Sequence, residues 1–239
     1  MIDDPRRRWL IQALAAGAFA AAVPAAGVMA AEIFGRVPRK LPRGQSIYRL
    51  SGNAMVNASA ATLQTRIGPN DTVETAKDSE IVFAVGEHAF ILRAESRVTL
   101  QSAQQDSLLV SGMRLLTGAL LSVFPNGRPA RIVTATATLG IRGTGFYLES
   151  DPQQTYFCTC YGIADVAANN DPDSRDTVVS KKHDKPLYVV ADANRGESIR
   201  NAPFINHTDQ ELMLIETLVG RTPPFVFPRE IYKAPRRSY

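Results

Sequence analysis

The strongest β signal in the chain lies at residues 132–146, which have the sequence IVTATATLGIRGTGF. From Ile132 to Thr138, threonine alternates with apolar or small residues, so every second side chain shares a face. This period of two predicts a single strand over these residues with one buried face. A further strand pattern, rather than a helix, follows the glycines of this stretch, which argues against a phosphate-binding loop.

Short apolar runs separated by turn signals occupy much of the remaining chain. Residues 68–71 predict a turn, and the Pro-Asn-Gly sequence at residues 125–127 predicts a tight turn that closes a hairpin. Residues 169–186 are polar and predict a loop. The other predicted strands are residues 81–85, 89–92, 98–100, 115–123, 156–161, 163–167 and 187–190. Short strands at this spacing predict a mainly β fold, either a short-stranded sandwich or roll or a solenoid-like domain.

One C-terminal α-helix completes the predicted fold class. Thr208 and Glu211 have the spacing of a capping box, in which each side chain accepts a hydrogen bond from an otherwise unpaired backbone N–H group. An apolar stripe at helical spacing follows, formed by Leu212, Ile215, Leu218 and Val219. Gly220 is suited to end the helix in a left-handed conformation. These signals predict a helix over about Asp209–Val219, with its stripe packed on the sheet.

The first 30 residues have the pattern of an export signal. Arg6 and Arg7 belong to a basic cluster ahead of an uncharged, Ala-rich stretch, and small residues precede a cleavage site near Ala31. An arginine pair followed by an aromatic residue and Leu resembles a twin-arginine signal. The alternatives are an uncleaved membrane anchor, because about 20 apolar residues can span a bilayer, and a cytoplasmic helix. The cleaved signal and the anchor both place the rest of the chain in the periplasm.

Replacement of Arg6 and Arg7 by Lys is expected to block export, because a receptor recognises the arginine pair itself. Cell fractionation of the wild type and the double variant measures the effect. Normal export of the double variant would refute the twin-arginine assignment.

Composition narrows the function classes for the mature chain. Among 239 residues, 27 Lys and Arg against 23 Asp and Glu give a net charge of +4, without the clustering that nucleic-acid binding requires. The sequence contains neither a Gly-x-Ser-x-Gly elbow nor a His-Glu-x-x-His motif, so no enzyme activity is expected. The expected organisation is an extended leader at residues 31–46, a β domain at residues 47–200, and a helix with a Pro-rich tail at residues 201–239.

Two blocks of this sequence resemble the FecR domain, the exported sensing part of a class of signal-transducing regulators. The first is DTVETA at residues 71–76, which resembles the family's early G-D-x-V-x-T turn and strand. The second is the 132–146 stretch, which resembles the family's V-x-T-P-x-A-x-x-x-V-R-G-T-x-F block. Its signature residues are Arg142, Gly143, Thr144 and Phe146. Together the blocks cover roughly residues 65–170.

The resemblance implies a β-rich, non-catalytic module that recognises a protein partner or a small signal in the envelope. No cytoplasmic anti-sigma domain is expected ahead of the export signal, so direct control of a sigma factor does not follow from the resemblance. Membrane association is expected only if the N-terminal segment stays uncleaved.

The two cysteines, Cys158 and Cys160, define the candidate site for chemistry. They lie two apart on a predicted strand, so their side chains share a face. His183 follows in the polar loop, and His207 lies just before the helix. Two Cys and two His are the ligands of a tetrahedral site for zinc or copper, which would make the chain a metal-binding or redox protein. The alternatives are a disulfide, which requires the strand to bulge, and two buried thiols without a ligand.

His88 is the third histidine and lies in a Gly-Glu-His turn. Its position in a turn predicts an exposed side chain without a role in the site.

Overall fold

The computed structural model describes residues 38–103, 108–222 and 224. The predicted export signal with Arg6 and Arg7, the first part of the leader and the tail beyond Pro224 lie outside the described residues. Within them, strands dominate and a single helix follows near the C-terminal end, so the mainly β fold class is confirmed. None of the helical structure in this part of the chain has the length and apolar character of a membrane-spanning segment.

The described elements comprise fourteen strands and helix α1. They are β1 (Ile47–Ser51), β2 (Ala54–Val56), β3 (Ser59–Ala60), β4 (Thr72–Thr75), β5 (Glu80–Val85), β6 (His88–Leu92), β7 (Arg97–Gln101), β8 (Gly112–Val123), β9 (Pro129–Val133), β10 (Ala137–Ser150), β11 (Gln154–Ala168), β12 (Arg175–Ser180), β13 (Leu187–Val190), β14 (Ile199–Asn201) and α1 (Asp209–Leu218).

The strands form one large open mixed sheet. Its main path runs in the order β14-β13-β11-β10-β9-β8-β7-β4-β2-β3. The sheet branches because its long strands pair with different partners at their two ends: β8 contacts β7 and β9 with its first half, and β6 and β10 with its second. Strand β11 likewise pairs with β13 near its start and with β12 near its end.

The turn at residues 125–127 does not close a hairpin, so that prediction is wrong. Strands β8 and β9 pair in parallel, with Gly112 opposite Arg131. The second half of β8 is already paired with β6 on one edge and β10 on the other. The chain that leaves the turn therefore finds no open edge there, and β9 joins the first half of β8 instead.

The predicted strand over Ile132–Thr138 is also wrong, because a turn interrupts it between Val133 and Ala137. The hydroxyl of Thr134 accepts a hydrogen bond from the Ala137 N–H group and donates to the Ala137 carbonyl, at 2.9 and 3.1 Å. Threonine hydroxyls thus replace the ladder partners that the turn removes. The alternating composition continues through the turn, which explains why the pattern did not reveal it.

The polar segment at residues 169–186 is not only a loop, which corrects a third prediction. It contains β12, which pairs with β11 and with none of the other described strands. An edge strand exposes one face and one row of backbone groups to water, so polar side chains suit it.

The sheet buries apolar side chains on both faces. On β10 and β11, Phe146, Leu148 and Phe157 join the larger cluster on one face. Tyr147 and Cys158 join a second cluster on the other face. The helical stripe of Leu212, Ile215, Leu218 and Val219 belongs to this second cluster, which confirms that α1 packs on the sheet.

The predicted capping box is confirmed at the start of α1. The Glu211 N–H group donates to the Thr208 hydroxyl at 3.2 Å, and the Thr208 N–H group donates to the Glu211 carboxylate at 3.1 Å. Gly220 follows the helix with a positive φ of 78°, as a left-handed cap requires.

Thr208→Ala is expected to lower the free energy of unfolding by about 1 kcal/mol, because the helix loses its cap. Urea unfolding of the wild type and the variant measures the difference. Thr208→Ser is the matched control, since serine retains the hydroxyl and should leave stability nearly unchanged.

His88 is buried, which corrects the prediction of an exposed side chain. The ring is 1% exposed and packs edge-on against Phe124, with 4.6 Å between ring centroids. Nδ1 lies 3.1 Å from the Val85 carbonyl oxygen. Burial lowers the pKa of His88 from 6.5 to about 4.

The free energy of unfolding is expected to fall as the pH drops from about 6.5 to 4. In this range His88 becomes protonated in the unfolded chain, whereas the buried ring stays neutral in the folded one. The loss should be on the order of 3 kcal/mol, at 1.36 kcal/mol for each pKa unit. Urea unfolding at pH 7 and pH 4.5, with chelator present throughout, measures it. His88→Gln should flatten this dependence, and an unchanged slope in the variant would contradict the assignment.

Candidate metal centre

Cys158 and Cys160 lie on β11 and project from the face that α1 covers. Both side chains are fully buried, and both thiols are free. Because side chains alternate along a strand, Thr159 points to the opposite face and the two sulfur atoms share one face. The sequence prediction of a shared face is therefore realised beneath the helix.

The loop between β12 and β13 brings His183 to the same face. Asp184 organises this loop: its Oδ2 atom accepts hydrogen bonds from the N–H groups of Lys181 and Lys182, which lowers the pKa of Asp184. The His183 N–H group donates to the Cys160 carbonyl at 3.0 Å. His183 has a positive φ of 52°, an uncommon conformation for a residue other than glycine, and such conformations concentrate at functional sites.

His207 reaches the cysteines from the segment just before α1. Its ring is 1% exposed and stacks on Tyr147, with 4.6 Å between centroids and 20° between planes. The preceding residue, Asn206, also has a positive φ, at 59°. Phe204 packs against both imidazoles, at 4.5 Å from His183 and 4.6 Å from His207. Aromatic rings thus enclose the histidines.

The four predicted side chains converge on one point. Cys158 Sγ lies 3.5 Å from His183 Nδ1, Cys160 Sγ lies 3.4 Å from His207 Nε2, and the two nitrogen atoms are 3.1 Å apart. All four ligand atoms lie within 4.8 Å of one another. Zinc bonds of about 2.3 Å to sulfur and 2.0–2.1 Å to nitrogen place tetrahedral neighbours roughly 3.3–3.8 Å apart. The cluster therefore fits a single tetrahedral ion after small adjustments.

The outer nitrogen of each imidazole has an acceptor. His183 Nε2 lies 2.8 Å from Asp209 Oδ1, and His207 Nδ1 lies 2.7 Å from the Ile205 carbonyl oxygen. Each acceptor favours a proton on the outer nitrogen, which leaves the inner nitrogen with a lone pair that points at the cysteines. Histidines that bind metals have this second contact almost always.

The electrostatics of the cluster favour a thiolate. Burial on its own raises the pKa of Cys158, but hydrogen bonds with Cys160, His183 and His207 outweigh burial and lower it well below the usual value. Burial and the neighbouring Cys158 raise the pKa of Cys160. Burial lowers the pKa of His183, but Cys158 and Asp209 outweigh it and raise the pKa. These shifts favour the thiolate form of Cys158 and the protonated form of His183, so a metal ion that binds here would compete with protons.

The signature residues of the 132–146 block that carries the sequence resemblance lie on β10, outside the ligand cluster. Thr144 donates a hydrogen bond to the Arg142 or the Ile163 carbonyl, where the pairing of β10 with β11 shifts register. Gly143 has a positive φ of 56°, and a Cβ there would lie 2.0 Å from Asn126 Oδ1. Arg142 forms an exposed ion pair with Asp165, and Phe146 is fully buried. The signature residues thus form a β-bulge, and Phe146 packs in the core.

Three neighbours of the histidines could not be predicted from the sequence: Asp209, Phe204 and Tyr147. Asp209 could be seen only as an acid in the first turn of a helix, where acidic residues are common. The two aromatic residues gave no signal, because only the folded chain shows which face of β10 and which loop meet His207.

Comparisons of this chain with known proteins gave matches among solved structures. No protein-family model and no curated protein sequence matches it. Two crystal structures, at 1.65 and 2.50 Å resolution, of a protein from Parabacteroides distasonis described as "a putative anti-sigma factor" are similar, each with a TM-score of 0.43 and 11% identity. Each match covers 55% of this chain and 58% of the other, so this chain spans less than two thirds of that relative's length.

Proposed function

We propose that this protein is a non-catalytic, zinc-binding recognition module of the bacterial envelope. The observation that carries the proposal is the convergence of two sulfur and two nitrogen atoms within 4.8 Å in a buried cluster. A bound metal ion would join all four groups at once, in place of the protons that they share without it.

Zinc suits the cluster better than copper does. A tetrahedral set of two sulfurs and two nitrogens is typical of zinc, whereas copper(II) prefers square-planar or tetragonal sites. Copper(I) is soft and remains the alternative ion, which metal analysis distinguishes from zinc.

The closed ligand set supports a structural or sensing role for the metal. Catalytic zinc sites keep one coordination position for water or substrate, whereas structural sites use four protein ligands. Here four protein ligands are present, and both cysteines and His207 are buried. The metal would join β11, the loop that carries His183 and the start of α1.

The recognition role rests on the sequence resemblance to FecR domains and on where the residues that carry this resemblance lie in the sheet. The signature residues of that resemblance form the bulge and core contact of β10, next to the strand that carries the cysteines. A protein partner or a small signal in the periplasm would be recognised by the exposed surface of the module, with the metal holding α1 in place.

Metal analysis of the protein purified from the exported fraction, with thiol titration of the same sample, tests the proposal. About one zinc ion for each chain is expected, with both thiols protected until a chelator is added. His207→Gln should lose the metal, whereas His88→Gln, the same substitution outside the cluster, should retain it. A metal-free wild type with two freely titrating thiols would refute zinc binding, and one copper ion would replace zinc in the proposal.

A further inference from the structure

Asp209 is the buried carboxylate behind the ligand cluster. Its side chain is 1% exposed, and its two oxygens have separate partners: Oδ1 lies 2.8 Å from His183 Nε2, and Oδ2 lies 3.2 Å from the Lys182 ammonium. The helix cap does not use this side chain, because Thr208 and Glu211 form the capping box. The contacts of Asp209 thus point to the site rather than to the cap.

The contact between Asp209 and His183 determines which nitrogen of the imidazole can bind a metal. A carboxylate that accepts from Nε2 keeps the proton there and leaves the lone pair on Nδ1, the atom nearest Cys158. The same contact fixes the ring orientation at a residue whose backbone has a positive φ. Without Asp209, the ring could rotate or place its proton on the nitrogen that faces the sulfurs.

We propose that Asp209 is a positioning residue for metal binding, which orients His183 and sets its tautomer. The inference rests on the proposed zinc site and adds a residue outside the four ligands. Because Asp209 is the first residue of α1 and the ligand His207 lies two positions earlier, metal binding would fix the start of the helix from both sides.

The competing explanation is that Asp209 only stabilises α1. An acidic residue in the first turn interacts favourably with the helix dipole, whatever its other contacts. That role predicts a less stable fold with unchanged zinc affinity. A positioning role predicts weaker zinc binding, even when the fold remains intact.

Zinc affinity, measured by competition with a chromophoric chelator on the full mature chain, separates the two explanations. Asp209→Ala should bind zinc about 10- to 100-fold more weakly, the usual effect of removing an outer partner of a ligating histidine. Asp209→Asn should lose less, because its amide oxygen can still accept from Nε2 without the negative charge. Cobalt(II) spectra of both variants should retain the two-thiolate bands, since the ligands are unchanged.

Met213→Gly is the matched control, because it weakens the same helix at an exposed position away from the cluster. The zinc affinity of Met213→Gly should stay within about threefold of the wild type, a much smaller change than the loss expected for Asp209→Ala. If the wild type binds zinc and Asp209→Ala binds it equally tightly, the positioning role is refuted and the zinc site stands. Failure of the wild type to bind zinc would instead refute the proposed function and this inference with it.

Discussion

Zinc at a hundredfold excess over its dissociation constant is expected to raise the free energy of unfolding by about 2.7 kcal/mol, because it binds the folded chain and not the unfolded one. For a domain of 150–250 residues, each kcal/mol shifts the melting temperature by about 2–4 °C, so the shift should be roughly 5–10 °C. Thermal unfolding with zinc and with chelator measures it. The gain should fade in acid, where protons compete for thiolates and imidazoles.

The controls for the zinc prediction separate the cluster from His88, the one histidine of the sequence outside it. Cys160→Ser should abolish the zinc-dependent shift, because a hydroxyl is a poor substitute for a thiolate at a site built on sulfur. His88→Gln should keep it, since His88 lies outside the ligand group. Identical melting curves with zinc and with chelator for the wild type would contradict the prediction.

Local rules account for the parts of the site that the sequence predicted. The capping box depends on a fixed spacing of three residues, and the shared face of Cys158 and Cys160 depends on a fixed spacing of two. Both are properties of one element and need no knowledge of its neighbours. For the same reason, the start of α1 and the orientation of the cysteines agree with the structure.

Long-range pairing accounts for what the sequence could not predict. The partner of β9 depends on which edges of β8 are already occupied, and the burial of His88 depends on Phe124 approaching from the end of β8. The convergence of His183 and His207 requires β12 and α1 to return to the same strand. Asp209 could be assigned to the site only after that convergence was seen, because its own position in the helix suggested another role.

Phe146→Ala is expected to lower the free energy of unfolding by about 3–5 kcal/mol, the usual cost of removing a buried phenylalanine ring. The ring belongs to a row of aromatic side chains, with Phe124 at 5.8 Å and Phe157 at 6.1 Å between centroids. Denaturant midpoints, with unchanged m values, measure the loss. Phe146→Leu should cost less, because it fills more of the cavity.

Arg142→Ala is the matched test within the same signature. Its guanidinium pairs with Asp165 at the surface, where both side chains are about half exposed, so the loss should stay below about 1 kcal/mol. A small loss at Arg142 beside a large one at Phe146 would assign the phenylalanine to folding and leave the arginine available for contact with a partner. Comparable losses of unfolding free energy at both positions would instead indicate that the whole signature serves stability. Because Phe146 lies on the face opposite the cysteines, zinc affinity of the folded variant should remain that of the wild type.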